Sequence, residues 1–187
     1  SGLEAKLQVA CFIVFEGGDG SGKSTQARSL LRRMRRRGVK VLCTHEPGGT
    51  PLGQYLRRLL KSGDAMTPMS ELMLFEAARA QLVDTVIKPF LDQGGIVIAD
   101  RFTSSTMAYQ GYGRGLDREL IERLNREATG GLEPDLTVLL DLPVETALAR
   151  KGKGNGDNFD GAPVDFHRKI RRGYTALAAA DPGGWLV

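Results

Sequence analysis

Apolar positions along the chain switch repeatedly between short continuous runs and a three-to-four spacing. Cys11–Phe15 (CFIVF) is an unbroken apolar run, which predicts a strand buried on both faces. After it, Ala27, Leu30, Leu31 and Met34 fall at i, i+3, i+4 and i+7. That spacing predicts a helix from about Lys23 to Arg37 with one buried face, closed by Gly38 at the position where a left-handed residue ends a helix. Val39–Thr44 (VKVLCT) reads as a second strand. Thr50-Pro51 and Thr67-Pro68 each join a good N-cap to a proline at the first helical position, so helices are expected near 51–61 and 68–88. Ile96–Ala99 (IVIA) reads as a third strand, ending in Asp100. Asp117 caps a helix to about Ala128, ended by Gly130-Gly131, and Leu136–Leu142 reads as a fourth strand. Pro143 opens a short helix to about Arg150, a last helix runs from about Pro163 to Ala180, and Trp185-Leu186-Val187 looks like the start of a fifth strand.

Strands alternating with helices imply an α/β fold of three layers, with a parallel sheet of about five strands between helices. The 187 residues suit one domain over 1–187 with a sizeable core. Such sheets bind ligands beyond the carboxyl ends of their strands. Three features fall there: the loop Gly17–Ser24, the loop Glu46–Thr50, and Asp100-Arg101.

Gly17–Ser24 (GGDGSGKS) fits G-x-x-x-x-G-K-S between an apolar strand and an amphipathic helix, the context of a P-loop NTPase. Gly17, Gly18, Asp19, Gly20, Ser21 and Gly22 supply a chain able to curl its N–H groups around phosphates, and the helix through Lys23, Ser24 and Thr25 adds its positive end. Lys23 is expected to reach the β- and γ-phosphates of ATP, and the Ser24 hydroxyl to ligate Mg²⁺. Asp100 can cap a turn, but beside such a loop it is the natural second metal-side acid. Arg101, next to it, would face a second phosphate. Phe75 and Arg79, four apart, share one helix face. By residue type alone they fit either a core ring and a surface charge, or a pair that stacks on and bonds a flat heterocycle. The glycine-rich stretch 151–162, with Arg150, Lys151 and Lys153 at its start, reads as a surface loop or as a flexible lid that brings cations onto the transferring phosphoryl group.

Net charge is +4, and the densest basic run is LLRRMRRRG at 30–38. Its apolar spacing makes the arginines the solvated side of a helix, and no nucleic-acid-reading motif accompanies them, so no nucleic-acid partner is expected. No apolar run approaches the ~20 residues that cross a bilayer, so no membrane partner is expected either. The N-terminal segment has no basic region leading into a long apolar stretch, which argues against a secretory leader. Cys11 and Cys43 sit in apolar strand-like runs and read as buried reduced thiols of a cytoplasmic protein.

Several segments together resemble thymidylate kinase: FEGGDGSGKSTQ, EPGGTPLGQYLRRLL at 46–60, LMLFEAARAQ at 72–81, DRFTSSTMAYQGYGRG at 100–115 and LDLPVETALAR at 140–150. The resemblance covers nearly the whole chain. It implies phosphorylation of dTMP to dTDP by ATP with Mg²⁺, and a homodimer. It also places roles on matching positions. Asp19 looks like the carboxylate that reaches towards the acceptor's sugar and phosphate, Phe75 like the ring on thymine, and Arg79 like the base-contacting arginine. Arg101 looks like the arginine on the acceptor phosphate, with Arg57 and Pro47 near it. Ser105 and Thr106 match positions near the base, and Tyr109 and Gln110 match the segment by the deoxyribose. The loop carries no arginine while Arg150, Lys151 and Lys153 are basic, which is similar to the bacterial subtype whose catalytic cation comes from the lid; Asp19, Lys23, Arg101, Arg150 and Lys153 are then the catalytic set. The chain departs from the pattern at His45 and Asn158, where arginines are expected, and it stops at Val187, where the family continues through a strand and a helix. A deoxynucleoside kinase acting on thymidine shares the loop and the acid-arginine pair, but its acceptor has no phosphate for Arg79 and Arg101 to meet. A P-loop GTPase switch would need a guanine-reading N-K-x-D segment, which is absent from the sequence.

Overall fold

In the computed structural model, residues 10–151 and 162–187 are described. The strands β1 (Cys11–Glu16), β2 (Val41–His45), β3 (Ile96–Asp100), β4 (Leu136–Leu139) and β5 (Trp185–Leu186) form one sheet in the order β2-β3-β1-β4-β5. Every pairing is parallel. The apolar run of β1 is divided by the pleat: Phe12 and Val14 pack on one face with Val97, Ala99, Leu82 and Ile87, while Ile13 and Phe15 pack on the other with Ile98 and Ala27. Both faces are thus covered, which gives three layers. Cys11 and Cys43 are free thiols, half-buried rather than fully buried, and burial raises the pKa of both.

The helices are α1 (Lys23–Arg36), α2 (Pro51–Leu60), α3 (Pro68–Leu82), α4 (Lys88–Asp92), α5 (Thr103–Thr106), α6 (Arg118–Thr129), α7 (Val144–Lys151) and α8 (Val164–Ala180). Their starts follow the expected chemistry. The Thr50 hydroxyl accepts from Gly53 N at 2.9 Å, that of Thr67 from Ser70 N at 3.2 Å, and the Asp117 carboxylate from Glu119 N at 3.0 Å. Val39 N–H closes α1 onto the Met34 carbonyl, so β2 begins at Val41 rather than at Val39.

Two helical stretches differ from expectation. The helix that starts at Pro68 does not stop at Lys88; a π-helical segment, Val83–Ile87, carries it into α4 through Pro89. The Lys88 N–H reaches the Val83 carbonyl five residues back, and the wider turn makes room for a proline that cannot donate. Residues Thr103–Gly113, for which no helix was expected, form α5 and a second π-helical segment, Met107–Gly113. Their glycines serve helix contact: a Cβ on Gly113 would lie 2.7 Å from the Phe166 ring, and one on Gly173 of α8 would lie 2.8 Å from Tyr112.

Candidate active site

The carboxyl ends of β1, β2 and β3 open into a cavity of 830 Å³. The Gly17–Ser24 loop forms one wall. Gly17, Gly20 and Gly22 have positive φ, which lets the loop fold back while α7 presses on it: a Cβ on Gly20 would lie 2.0 Å from the Ala147 carbonyl. Lys23 is buried, and its Nζ donates to the Gly18 carbonyl at 2.8 Å. Burial, then the charge of Arg101, lowers its pKa to about 7. Ser24 and Thr25 line the cavity, and the Ser24 hydroxyl bonds to the Asp100 carboxylate. One hydroxyl and one carboxylate at the foot of a phosphate loop are hard oxygen donors that suit Mg²⁺, which takes its other ligands from phosphates and water. Among the described residues no group of three or more His, Cys, Asp or Glu could form an all-protein metal cage.

The opposite wall is built round Arg101. Its φ of 77° is left-handed, a conformation that costs a non-glycine residue about 1–2 kcal/mol. The turn swings its guanidinium under the loop, where it pairs with Asp19 at 2.6 Å. It also donates to the hydroxyls of Tyr109 at 3.0 Å, Ser105 at 3.1 Å and Tyr174 at 3.1 Å, and lies 4.9 Å from the Tyr109 ring centre. Beneath it sits Glu16, which accepts from Phe102 N at 2.9 Å, the Ser105 hydroxyl at 2.7 Å and the Tyr174 hydroxyl at 2.9 Å. Burial raises the pKa of Glu16, and raises those of Tyr109 and Tyr174.

Pro47, Arg57, Phe75, Arg79, Ser105, Thr106, Tyr109 and Gln110 all line the same cavity. Phe75 is half-buried, and Arg57 donates to the Pro47 carbonyl at 2.9 Å, after a cis Glu46–Pro47 bond. Arg79, matched above to a base-contacting arginine, lies at the back of that cavity. It is 1% exposed and its donors are already engaged: Glu46 at 2.8 and 2.9 Å, Glu76 at 2.8 Å, Asn125 at 2.7 Å, Thr106 at 3.1 Å and the Phe102 carbonyl at 3.2 Å. It ties α3, α5 and α6 together behind the pocket. Gly17, Gly18 and Ser21 face a smaller cavity behind the loop, between it and α7 and α8. Arg150 is exposed near the end of α7 and does not line the main cavity, and Lys153 lies outside the described residues.

Sequence reasoning missed Glu16, Tyr174 and the pair Glu71–Arg114. Glu16 did leave a signal: an acid that continues a fully apolar strand has to be buried and bonded. Tyr174 left none, because it approaches from α8 across 158 residues of sequence.

The thymidylate kinase family model matches residues 15–187. The chain belongs to the thymidylate kinase family. It is 54% identical to the thymidylate kinase of Synechococcus sp. (strain JA-2-3B'a(2-13)) over 171 residues, covering 91% of this chain and 82% of that one. It is 48% identical to the thymidylate kinase of Dehalococcoides mccartyi (strain ATCC BAA-2266 / KCTC 15142 / 195) over 180 residues, 95% and 87% of the two chains. The crystal structure of thymidylate kinase from Ehrlichia chaffeensis superposes with a TM-score of 0.80 at 37% identity, covering 96% of this chain and 88% of that one. No described helix is long and apolar enough to cross a membrane.

Proposed function

We propose that this chain transfers the γ-phosphoryl group of ATP to the 5′-phosphate of dTMP, giving dTDP and ADP. A dTMP phosphate oxygen forms the new bond to the γ-phosphorus, and the bond from that phosphorus to the β–γ bridging oxygen breaks. The observation that carries this assignment is one cavity lined by two cations from different elements, Lys23 at the start of α1 and Arg101 after β3, the second paired with Asp19 of the loop. Two polyanions that meet end to end each need their own positive partner. The loop N–H groups and Lys23 hold the donor phosphates. Ser24 and Asp100 would hold Mg²⁺, which neutralises charge on the phosphates when bound. Arg101, with Arg57, would hold the acceptor phosphate, and Phe75 would stack on its base. Arg150 and Lys153 are the cations proposed to close on the donor. Thymidine offers Arg101 no phosphate, so the monophosphate is favoured over the nucleoside.

The test is a coupled assay with ATP and Mg²⁺ comparing dTMP, thymidine, dUMP and AMP. Fastest turnover is expected with dTMP; faster turnover of thymidine, or none of dTMP, rejects the assignment. A homodimer is proposed through the outer face of α2 and α3, where Leu52, Tyr55, Leu59, Met69 and Met73 leave large apolar surface exposed. Sedimentation of Tyr55→Glu checks it, since a protein that sediments like the unaltered one excludes that face. The proposed location is the cytoplasm, without a nucleic-acid or membrane partner. Cosedimentation with DNA or with anionic vesicles would contradict this.

A further inference from the structure

Gln110 lines the cavity, yet it is only 1% exposed, and its amide is held from behind. Its Nε2 donates to Glu71 Oε1 at 2.7 Å. Glu71 is itself 2% exposed, and Arg114 grips both its oxygens, with Nε at 3.3 Å from Oε1 and NH2 at 3.0 Å from Oε2. Arg114 in turn lies 5.0 Å from the Phe166 ring centre, and Phe166 sets its edge against Tyr109. The direction of the amide is therefore decided. Turning it over would bring its carbonyl to within 2.7 Å of a carboxylate oxygen, where two acceptors repel. With Nε2 committed, Oε1 is the atom left to the cavity, and it accepts no hydrogen bond among the described residues.

The place of Gln110 says what it can read. Glu71, Phe75 and Arg79 follow one another at four-residue spacing along one face of α3. A base stacked on Phe75 lies between the residues that Glu71 and Arg79 hold, Gln110 and Thr106, while Asp19 and Arg101 mark the phosphate end. An acceptor fixed there demands a donor from the edge of the base. Facing N3, the acceptor meets a donor N3–H in thymine and uracil but a bare acceptor in cytosine, whose own donor, the 4-amino group, sits one position further along the edge.

We propose that Glu71 and Arg114 are positioning residues that set base specificity, by locking the Gln110 amide with its carbonyl towards the nucleotide. The lock rests on the acceptor being a pyrimidine monophosphate stacked on Phe75. Glu71→Gln nearly keeps the shape but replaces the carboxylate with an amide that can both give and accept, so Gln110 is free to turn over. The experiment measures kcat/KM for dTMP, dUMP and dCMP with saturating ATP. In Glu71→Gln the dTMP/dCMP ratio is expected to fall by about tenfold or more, the scale of one buried unsatisfied group. The dTMP/dUMP ratio should stay within about twofold, because both bases carry N3–H. In a Gln110→Leu background, Glu71→Gln should move the dTMP/dCMP ratio no further, since it acts only through that amide. An equal loss for all three nucleotides, or an unchanged dTMP/dCMP ratio, overturns the proposal. Arg114→Met keeps the acceptor but frees the carboxylate, and is expected to raise the dTMP KM about three- to tenfold with the ATP KM unmoved. An unchanged dTMP KM overturns the role of Arg114, and does so even if Glu71→Gln fails to fold. Unaltered protein that phosphorylates neither dTMP nor dUMP overturns the kinase assignment itself.

Discussion

Replacing Arg79 with methionine would remove the one cation that Glu46 and Glu76 share. Both carboxyls are buried, and each has one oxygen without a hydrogen bond among the described residues: Oε1 of Glu46 and Oε2 of Glu76. Two acids on one guanidinium leave a surplus of negative charge. Burial accordingly pushes the pKa of Glu46 up to about 7, against the pull of Arg79. Removing one partner of a buried pair costs about 3–5 kcal/mol. At about 2–4 °C per kcal/mol for a domain of this size, the melting temperature should fall by about 6–20 °C. The loss has a pH signature. A carboxyl whose folded pKa lies above its unfolded value contributes its full stability below the unfolded value, near 4.5, and loses it as pH rises to about 7. Without Arg79 the Glu46 carboxyl holds its proton more tightly still, so the deficit of Arg79→Met should be smaller at pH 5.5 than at pH 8. Thermal unfolding at the two pH values measures this, with Glu46→Gln/Arg79→Met expected to recover part of the loss. A variant that melts within about 2 °C of the parent while its dTMP KM rises would show that Arg79 is a ligand contact and not a buried tie.

Two further outcomes follow from the donor side. Gly20→Ala sets a Cβ 2.0 Å from the Ala147 carbonyl at a φ of 76°, and should raise the ATP KM by about tenfold or more; a variant with the parent's ATP KM would contradict the contact of the loop with α7. Lys23, held at about 7 by burial and Arg101, should regain its proton when ATP phosphates surround it. Calorimetry at pH 8 in buffers of different ionisation enthalpy should therefore show proton uptake on ATP binding, and proton release would contradict it.

The order of strands and helices was legible because each local signal agreed with the global fold. The CFIVF run, the Thr-Pro starts and Gly38 are read alike from the chain and from its packing. The Gly17–Ser24 loop was legible for the same reason, since its glycines and Lys23 are contiguous in sequence. The wall built round Arg101 was legible only in part. Whether a guanidinium faces the cavity or a buried acid depends on what lies opposite it. For Arg79, that is Glu46 and Asn125, far apart in the chain. Thr103–Gly113 was hidden because Gly111 and Gly113 count against a helix locally, while the close packing on Phe166 that requires Gly113 is visible only in three dimensions.

The sheet register has a consequence for how chains of this kind can change length. His45, Asp100 and Phe15 share one rung, so the alternation that buries Val97 and Ala99 also fixes the direction in which Asp100 leaves the sheet. One residue inserted into β3 would turn that carboxylate into the core and leave an alanine lining the cavity in its place. The connections that enter the amino ends of β2 and β4, at 37–40 and 130–135, lie a full strand length from the cavity. Insertions, fused peptides and new chain ends belong there, where the sheet itself insulates the edge that opens into the cavity from them.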